Sequence, residues 1–248
     1  MKFTLLMISI LCFVITVSAK VTVTSVHYMS GKDTVTSLLY MPEGKGPFPA
    51  IVVIHEWDGL KGWIKETAES MSKKGYITLA IDLYRGRVAS TDEEAHELMR
   101  GLPEDRAARD LQAATAYLRT LKEVNGAKVG SIGWCMGGGY SLAAALNDSK
   151  LSACVICYGR LVTDSSTIAK IPCPILGLFG EDDQGISPQS VREFESACKQ
   201  EGKQIAVTIY KGAGHRFMNS EHASSYRQTS AEDAWNKVYA FFDRTLKK

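Results

Sequence analysis

The stretch Lys128–Leu146 reads KVGSIGWCMGGGYSLAAAL and carries the strongest structural signal in the chain. Its first part is apolar and β-branched, as in a buried strand, and its last part is rich in alanine and leucine, as in a helix. Gly133 and Gly137 stand two residues before and two residues after Cys135. Glycines at these positions allow a sharp turn that pushes Cys135 out of the sheet at the start of the helix. The stretch therefore predicts a strand–turn–helix unit that presents a candidate nucleophile.

Cys135 replaces the serine that such turns usually carry. A helix N-terminus favours a thiolate over a thiol, which suits a cysteine nucleophile. The alternative is a glycine-rich turn with a passive cysteine.

Strands and helices alternate along the rest of the chain. Alternating residues over Val21–Tyr28 and Thr34–Met41 predict a hairpin. Further strands are predicted at Ala50–His55, Tyr76–Asp82, Leu151–Tyr158, Pro174–Phe179 and Gln204–Tyr210, and helices at Lys61–Lys74, Ser90–Arg100, Glu104–Leu121, Pro188–Lys199 and Ala231–Leu246. With the cysteine turn, this order predicts an α/β-hydrolase fold, a mostly parallel central sheet with helices on both faces.

A thiol nucleophile needs a base, and the base needs an acid that orients it. In this fold the three groups follow one another in the order nucleophile, acid, histidine. His215 follows the last predicted strand, while His222 already lies near the final helix. Either Asp182 or Asp183 fits the acid, and their order in the chain does not decide between them. The alternative for His215 is a histidine in a surface loop.

The residues after Ala50–His55 supply further candidates. Glu56 is either a solvated loop carboxylate or a group that takes or holds the thiol proton. The backbone N–H groups of Trp57 and Met136 are the expected oxyanion-hole donors, which would stabilise negative charge on an attacked carbonyl oxygen.

Composition excludes several classes of protein. The chain has 248 residues, of which 45% are apolar and 23% charged, and its formal net charge is +2. This is ordinary globular composition without a long basic run, so we expect no nucleic-acid partner. The chemistry requires no cofactor, and no metal site is predicted.

The N-terminal residues 1–19 are predicted to be a signal peptide. A basic start precedes an apolar run from Phe3 to Val17, and Ser18-Ala19 suits a cleavage site. The run is short for a membrane anchor, which needs about 20 apolar residues. We therefore expect a mature domain over residues 20–248 that is secreted or periplasmic, without stable membrane association. The alternative is an anchor that is never cut.

Five cysteines remain after cleavage. An odd number leaves at least one thiol free or paired between chains. Cys154 and Cys157 lie three apart in a predicted strand and point to opposite faces, so we expect buried core cysteines.

The mature chain resembles the dienelactone hydrolase family. The resemblance rests on Ile51–Leu60, Asp82–Tyr84, Gly133–Gly138, Gly180–Asp183 and Ala213–Phe217. It implies a cysteine, aspartate and histidine triad at Cys135, Asp183 and His215, and it places the family's glutamate at Glu56. Asp183 is preferred because the family's acid is the fourth residue from the glycine, with an aliphatic residue three further on, here Ile186.

The resemblance also bears on the substrate. Two arginines grip the substrate's carboxylate in the family's type enzyme, and their positions here are Gly86 and Asn219. Arg85 and Arg216 lie nearby, and with Tyr84 they are the predicted substrate-binding residues, so esters or lactones with a nearby carboxylate should be preferred. The alternative is that these arginines face solvent.

The expected function is hydrolysis of a small ester or lactone through a thioester intermediate. The alternatives are a thioesterase and a non-catalytic small-molecule-binding protein on a hydrolase scaffold.

Overall fold

An eight-stranded sheet forms the centre of the computed structural model, which describes residues 20–248. The predicted signal peptide at residues 1–19 lies outside the described residues. The strands are β1 Val21–Ser30, β2 Asp33–Pro42, β3 Phe48–Ile54, β4 Ile77–Ile81, β5 Val124–Trp134, β6 Ala153–Cys157, β7 Ile175–Gly180 and β8 Ile205–Tyr210. Their order in the sheet is β1-β2-β4-β3-β5-β6-β7-β8. The β1–β2 hairpin and the β2–β4 pair are antiparallel and the remaining pairs are parallel, which confirms the mostly parallel sheet.

The helices follow the strands as predicted, with shifted boundaries. They are α1 Gly62–Lys73, α2 Asp92–Arg100, α3 Glu104–Thr120, α4 Met136–Asn147, α5 Ser165–Ile168, α6 Pro188–Gln200 and α7 Gln228–Leu246. The short α5 was not predicted. It begins where the Asp164 side chain accepts a hydrogen bond of 2.8 Å from the Thr167 N–H, a typical N-cap. The strand β5 begins at Val124, earlier than predicted, because it pairs with Phe48 across an irregular register.

Alternate residues of β5 show that helices cover both faces of the sheet. Trp134 packs between Trp63 of α1 and Trp235 of α7, with ring centroids 5.2 and 5.7 Å apart. Ser131 points the other way, and its hydroxyl lies 2.8 Å from that of Ser141 on α4. Residues an odd number apart on a strand face opposite sides, so α1 and α7 lie across the sheet from α4.

The central strands are buried on both faces. Every residue of β4, β6 and β7 is buried, as expected of parallel strands between helices. Cys154 and Cys157 belong to this core, and within the described chain they are buried and form no disulfide. No helix within residues 20–248 is long and apolar enough to cross a membrane.

Candidate active site

Cys135 lies on a strained turn between β5 and α4. Its φ is +55° and its ψ is −121°, a conformation that few non-glycine residues adopt. The turn is also tightly packed, because a Cβ on Gly133 would lie 2.0 Å from the carbonyl oxygen of Gly137. A Cβ on Gly137 would lie 2.4 Å from the His55 carbonyl oxygen. The two glycines are therefore required by close backbone approaches, and they leave Cys135 partly exposed at the carboxyl end of the sheet.

Two backbone N–H groups are available near this cysteine. Met136 is the first residue of α4, where N–H groups have no partner within the helix. Trp57 follows the end of β3. Within residues 20–248, the N–H groups of Trp57 and Met136 donate to no protein acceptor. Such free donors are what an oxyanion hole requires.

Asp183 holds His215 from the loop after β7. Its Oδ2 accepts a hydrogen bond of 2.7 Å from the imidazole Nδ1, and its Oδ1 accepts bonds of 2.8 and 3.0 Å from the N–H groups of Gly185 and Ile186. Asp183 is buried, whereas Asp182 is exposed and uses its backbone N–H to bond the Ala213 carbonyl. Of the two aspartates that the chain order left open, His215 contacts Asp183.

The charges around His215 favour its protonated form. Burial by itself would lower the pKa of His215, but Asp183 and the Cys135 thiol raise that pKa to about 10. Burial would also raise the pKa of Asp183, and the hydrogen bonds from His215, Ile186 and Gly185 lower it. Because the carboxylate accepts from Nδ1, the Nε2 atom is the ring nitrogen left for Cys135.

Glu56 belongs to a second group of buried side chains, next to the group of Cys135, His215 and Asp183. Its Oε2 accepts a hydrogen bond of 2.6 Å from the Asn219 amide, and its Oε1 lies 3.6 Å from Nε of Arg216. Arg216 also lies 3.3 Å from the Asp58 carboxylate and above the Trp57 ring, 5.5 Å from its centroid. The polar contacts of Glu56 are thus with Asn219 and Arg216 rather than with Cys135.

The pKa of Glu56 is raised to about 7. Burial is the main cause, and Asp58 adds to it, while Arg216, Asn219 and His215 act in the opposite direction. One hydrogen bond and one guanidinium beyond hydrogen-bond distance do not offset the loss of water around a fully buried carboxylate. Glu56 is therefore a group that changes charge near neutral pH.

Tyr84 lies at the same edge of the sheet. Its hydroxyl donates to the Trp57 carbonyl oxygen at 2.9 Å and contacts the Met136 sulfur at 3.1 Å. It therefore touches both residues that carry the free N–H groups. Its side chain is almost fully buried.

Arg85 is directed away from this cluster. Its guanidinium donates a hydrogen bond of 2.9 Å to Oδ1 of Asp110 on α3 and lies 2.8 Å from Oδ2 of the same carboxylate. A cavity of about 210 Å³ beside it is lined by Tyr84, Arg85, Arg87, Glu97, Leu98, Gly101 and Arg106. Substrate binding by Arg85 or Arg216 stays a prediction, and each guanidinium already faces a protein carboxylate.

The structure thus brings most of the predicted residues to one edge of the sheet. Cys135, His215 and Asp183 form one group there, and Glu56 and Arg216 form its neighbour. Sequence reasoning missed the contacts of Asn219 and Asp58 with this second group. The available signals were the position of Asn219, four residues after His215, and that of Asp58, shortly after the end of β3.

A mostly parallel sheet, a cysteine on a strand–helix turn and a histidine after the last strand define an α/β-hydrolase. The model of the dienelactone hydrolase family matches residues 35–246, and the chain belongs to that family. It is a hydrolase of carboxylic esters or lactones.

Individual relatives agree with this assignment. A candidate carboxymethylenebutenolidase from Methylorubrum extorquens is 33% identical over 216 residues, which cover 82% of this chain and 74% of the relative. A dienelactone hydrolase-like promiscuous phosphotriesterase from metagenomic libraries has a solved structure with a TM-score of 0.84 and 25% identity, covering 91% of this chain and 98% of that one. A candidate dienelactone hydrolase from Klebsiella pneumoniae shares the fold with a TM-score of 0.82 at 23% identity, covering 90% of this chain and 98% of that one.

Proposed function

We propose that this hydrolase cleaves a small ester or lactone by covalent catalysis at Cys135. The thiolate sulfur bonds to the carbonyl carbon, and the bond to the alkoxy oxygen breaks. The leaving oxygen takes a proton from the imidazolium of His215. Water, deprotonated by His215, then attacks the thioester and releases the acid and Cys135.

The hydrogen bond of 2.7 Å between Nδ1 of His215 and Asp183 carries this proposal. Asp183 is fixed by two backbone N–H groups, so it can hold the ring in one orientation and stabilise the imidazolium. Cys135 stands at a helix N-terminus beside that ring, with the free N–H groups of Trp57 and Met136 nearby for the developing oxyanion.

The experiment is a substrate screen with the purified mature protein and its Cys135→Ala variant. The panel holds small esters, lactones and thioesters, and a phosphotriester because a relative is described as a phosphotriesterase. We expect turnover of at least one ester or lactone, and its loss in Cys135→Ala with the fold unchanged by circular dichroism. Turnover at the wild-type rate by Cys135→Ala would exclude the cysteine as nucleophile.

A burst experiment separates catalysis from mere binding. An activated ester should release about one equivalent of its alcohol rapidly, before steady turnover, because acylation of Cys135 precedes hydrolysis of the thioester. Cys135→Ser should give very little turnover, since a serine hydroxyl is far less acidic than a thiol. Binding without any burst or turnover across the panel would support the binding-protein alternative. Preference for thioesters would support the thioesterase alternative.

We also propose that the protein is exported and that cleavage follows Ala19. The basic start and the short apolar run of residues 1–19 support this location. The test is cell fractionation followed by N-terminal sequencing of the exported protein. An N-terminus at Lys20 is expected, and an intact Met1 in the cytoplasm would contradict export.

A further inference from the structure

His55 is a fully buried histidine that the proposed chemistry does not use. It directly precedes Glu56 and Trp57, at the end of β3, and its ring nitrogens both have partners. The Leu83 N–H donates to Nε2 at 3.2 Å, and Nδ1 lies 2.6 Å from the Glu56 carbonyl oxygen. A backbone N–H can only donate, so Nε2 must accept and Nδ1 must carry the ring proton. Burial lowers the pKa of His55, which agrees with a neutral ring of this tautomer.

The bond from His55 fixes the peptide unit that carries the Trp57 N–H. In a planar trans peptide the carbonyl and the N–H point in opposite directions. Holding the Glu56 carbonyl therefore also holds the Trp57 N–H. The Gly59 N–H donates to the same carbonyl at 3.2 Å and acts in the same sense. Rotation of this peptide would replace the free N–H by a carbonyl oxygen, which would repel an oxyanion.

Tyr84 holds the next peptide unit along the chain. Its hydroxyl bonds the Trp57 carbonyl at 2.9 Å, and its ring contacts the His55 ring with centroids 4.9 Å apart. Two successive peptides are thus held by two side chains that pack on each other.

We propose that His55 is a positioning residue for the oxyanion hole. It acts through the Glu56–Trp57 peptide and touches no reacting atom. This role rests on the proposed function, in which the Trp57 N–H stabilises the oxyanion.

Three substitutions of His55 separate the role of its donor from that of its bulk. The amide nitrogen of an asparagine reaches about as far as Nδ1, so His55→Asn can keep the donor to Glu56. His55→Gln places its amide near Nε2, so it can accept from Leu83 but loses that donor. His55→Phe keeps the ring volume and loses both contacts.

Loss of the donor in His55→Phe and His55→Gln should lower kcat by about 100-fold, with KM changed by less than about threefold. His55→Asn should retain about tenfold more activity than His55→Gln.

The rate at which iodoacetamide alkylates Cys135 separates positioning of the oxyanion hole from a general disturbance of the site. A substitution that merely disturbed the structure around Cys135 would slow alkylation as well as hydrolysis. The sulfur displaces iodide from a saturated carbon, so no oxyanion forms and the hole is not needed. We expect the alkylation rate of all three variants to stay within about twofold of the wild type while kcat falls. Parallel loss of alkylation and kcat, or a higher kcat for His55→Gln than for His55→Asn, would overturn the proposal.

The tautomer can be measured in the unmodified protein, which keeps the proposal testable if the buried variants fail to fold. Nitrogen-15 NMR of histidine-labelled protein should show a neutral His55 with its proton on Nδ1 at neutral pH. A proton on Nε2 would overturn the proposal. Failure of the proposed function would look different, since Cys135→Ala would then retain hydrolysis whatever the state of His55.

Discussion

Asp183 and Glu56 are both buried carboxylates that act on His215, and their surroundings move their pKa values in opposite directions. Asp183 is 3% exposed and Glu56 is 1% exposed, so burial alone does not separate them. Asp183 accepts three N–H hydrogen bonds, two from the backbone and one from His215. Glu56 accepts one, from Asn219, and faces the Arg216 guanidinium at 3.6 Å.

The number of donors at hydrogen-bond distance explains the difference. Three N–H groups replace the water that Asp183 loses, so its pKa falls despite burial. A single amide does not do so for Glu56, and its pKa rises to about 7. We therefore expect Asp183 to be a permanent charge at neutral pH and Glu56 to be an ionisation that conditions can change.

Asp183→Asn should have the largest effect. The asparagine cannot hold His215 with its proton on Nδ1 and cannot stabilise the imidazolium, so kcat should fall by about four orders of magnitude. The measurement is kcat for the best ester from the substrate screen. The matched control is Asp182→Asn, an exposed neighbour, which should stay near the wild type. The reverse ranking would show that the acid is Asp182.

Glu56→Gln should change how stability depends on pH. A carboxyl whose pKa is raised from 4.5 to about 7 stabilises the folded state fully below pH 4.5, and this contribution is lost as the pH rises to 7. Glutamine has no such loss. The free energy of unfolding of Glu56→Gln, relative to wild type, should therefore rise by up to about 3 kcal/mol between pH 5 and pH 8.

Urea unfolding at the two pH values measures this effect. The exposed Glu66 provides the control, since Glu66→Gln should give the same difference from wild type at both pH values. A relative stability of Glu56→Gln that is flat or falls with pH would mean that Glu56 is ionised throughout this range.

Glu56→Gln should have a smaller effect on the rate than Asp183→Asn, and only above pH 7. Below pH 7 the wild-type side chain is protonated and glutamine imitates it, so the rates should agree. Above pH 7 the wild type has a carboxylate that stabilises the His215 imidazolium, and its loss should lower kcat/KM by about tenfold. The pH profile of kcat/KM from pH 5 to pH 9 tests this. An equal deficit at every pH would assign Glu56 a role independent of its charge.

The sequence predicted the sheet and the cysteine turn because both depend on local patterns. Apolar runs mark β3 and β7, and the glycine spacing around Cys135 marks the turn. The acid could not be chosen from chain order, because Asp182 and Asp183 follow the same strand. The choice depends on how the loop bends, with the Asp182 N–H bonded to the Ala213 carbonyl.

The contacts of the two arginines were also hard to predict, because they too depend on tertiary structure. Arg85 and Arg216 follow strand ends, which suggested that both face the substrate. Each has a positive φ, at 57° and 64°, and each guanidinium meets a carboxylate remote in sequence. Arg85 bonds Asp110 of α3, and Arg216 faces Glu56 and Asp58. Such pairs depend on tertiary packing, which single-sequence patterns do not contain.

Substitution of Arg216 should have the smallest effect on activity. It should show whether this side chain acts on a carboxylate of the substrate or on the carboxylate of Glu56. The Arg216 side chain is only 14% exposed and already faces two carboxylates, so an anionic substrate would have to compete with them. At most about 1 kcal/mol is then available to the substrate, and matched anionic and neutral esters should differ by less than about fivefold in kcat/KM. Arg216→Gln should leave this ratio nearly unchanged. Because Arg216 lowers the pKa of Glu56, the variant should instead move the ionisation near pH 7 to higher pH. A collapse of the anionic preference without a shift of the pH profile would assign Arg216 to the substrate instead of Glu56.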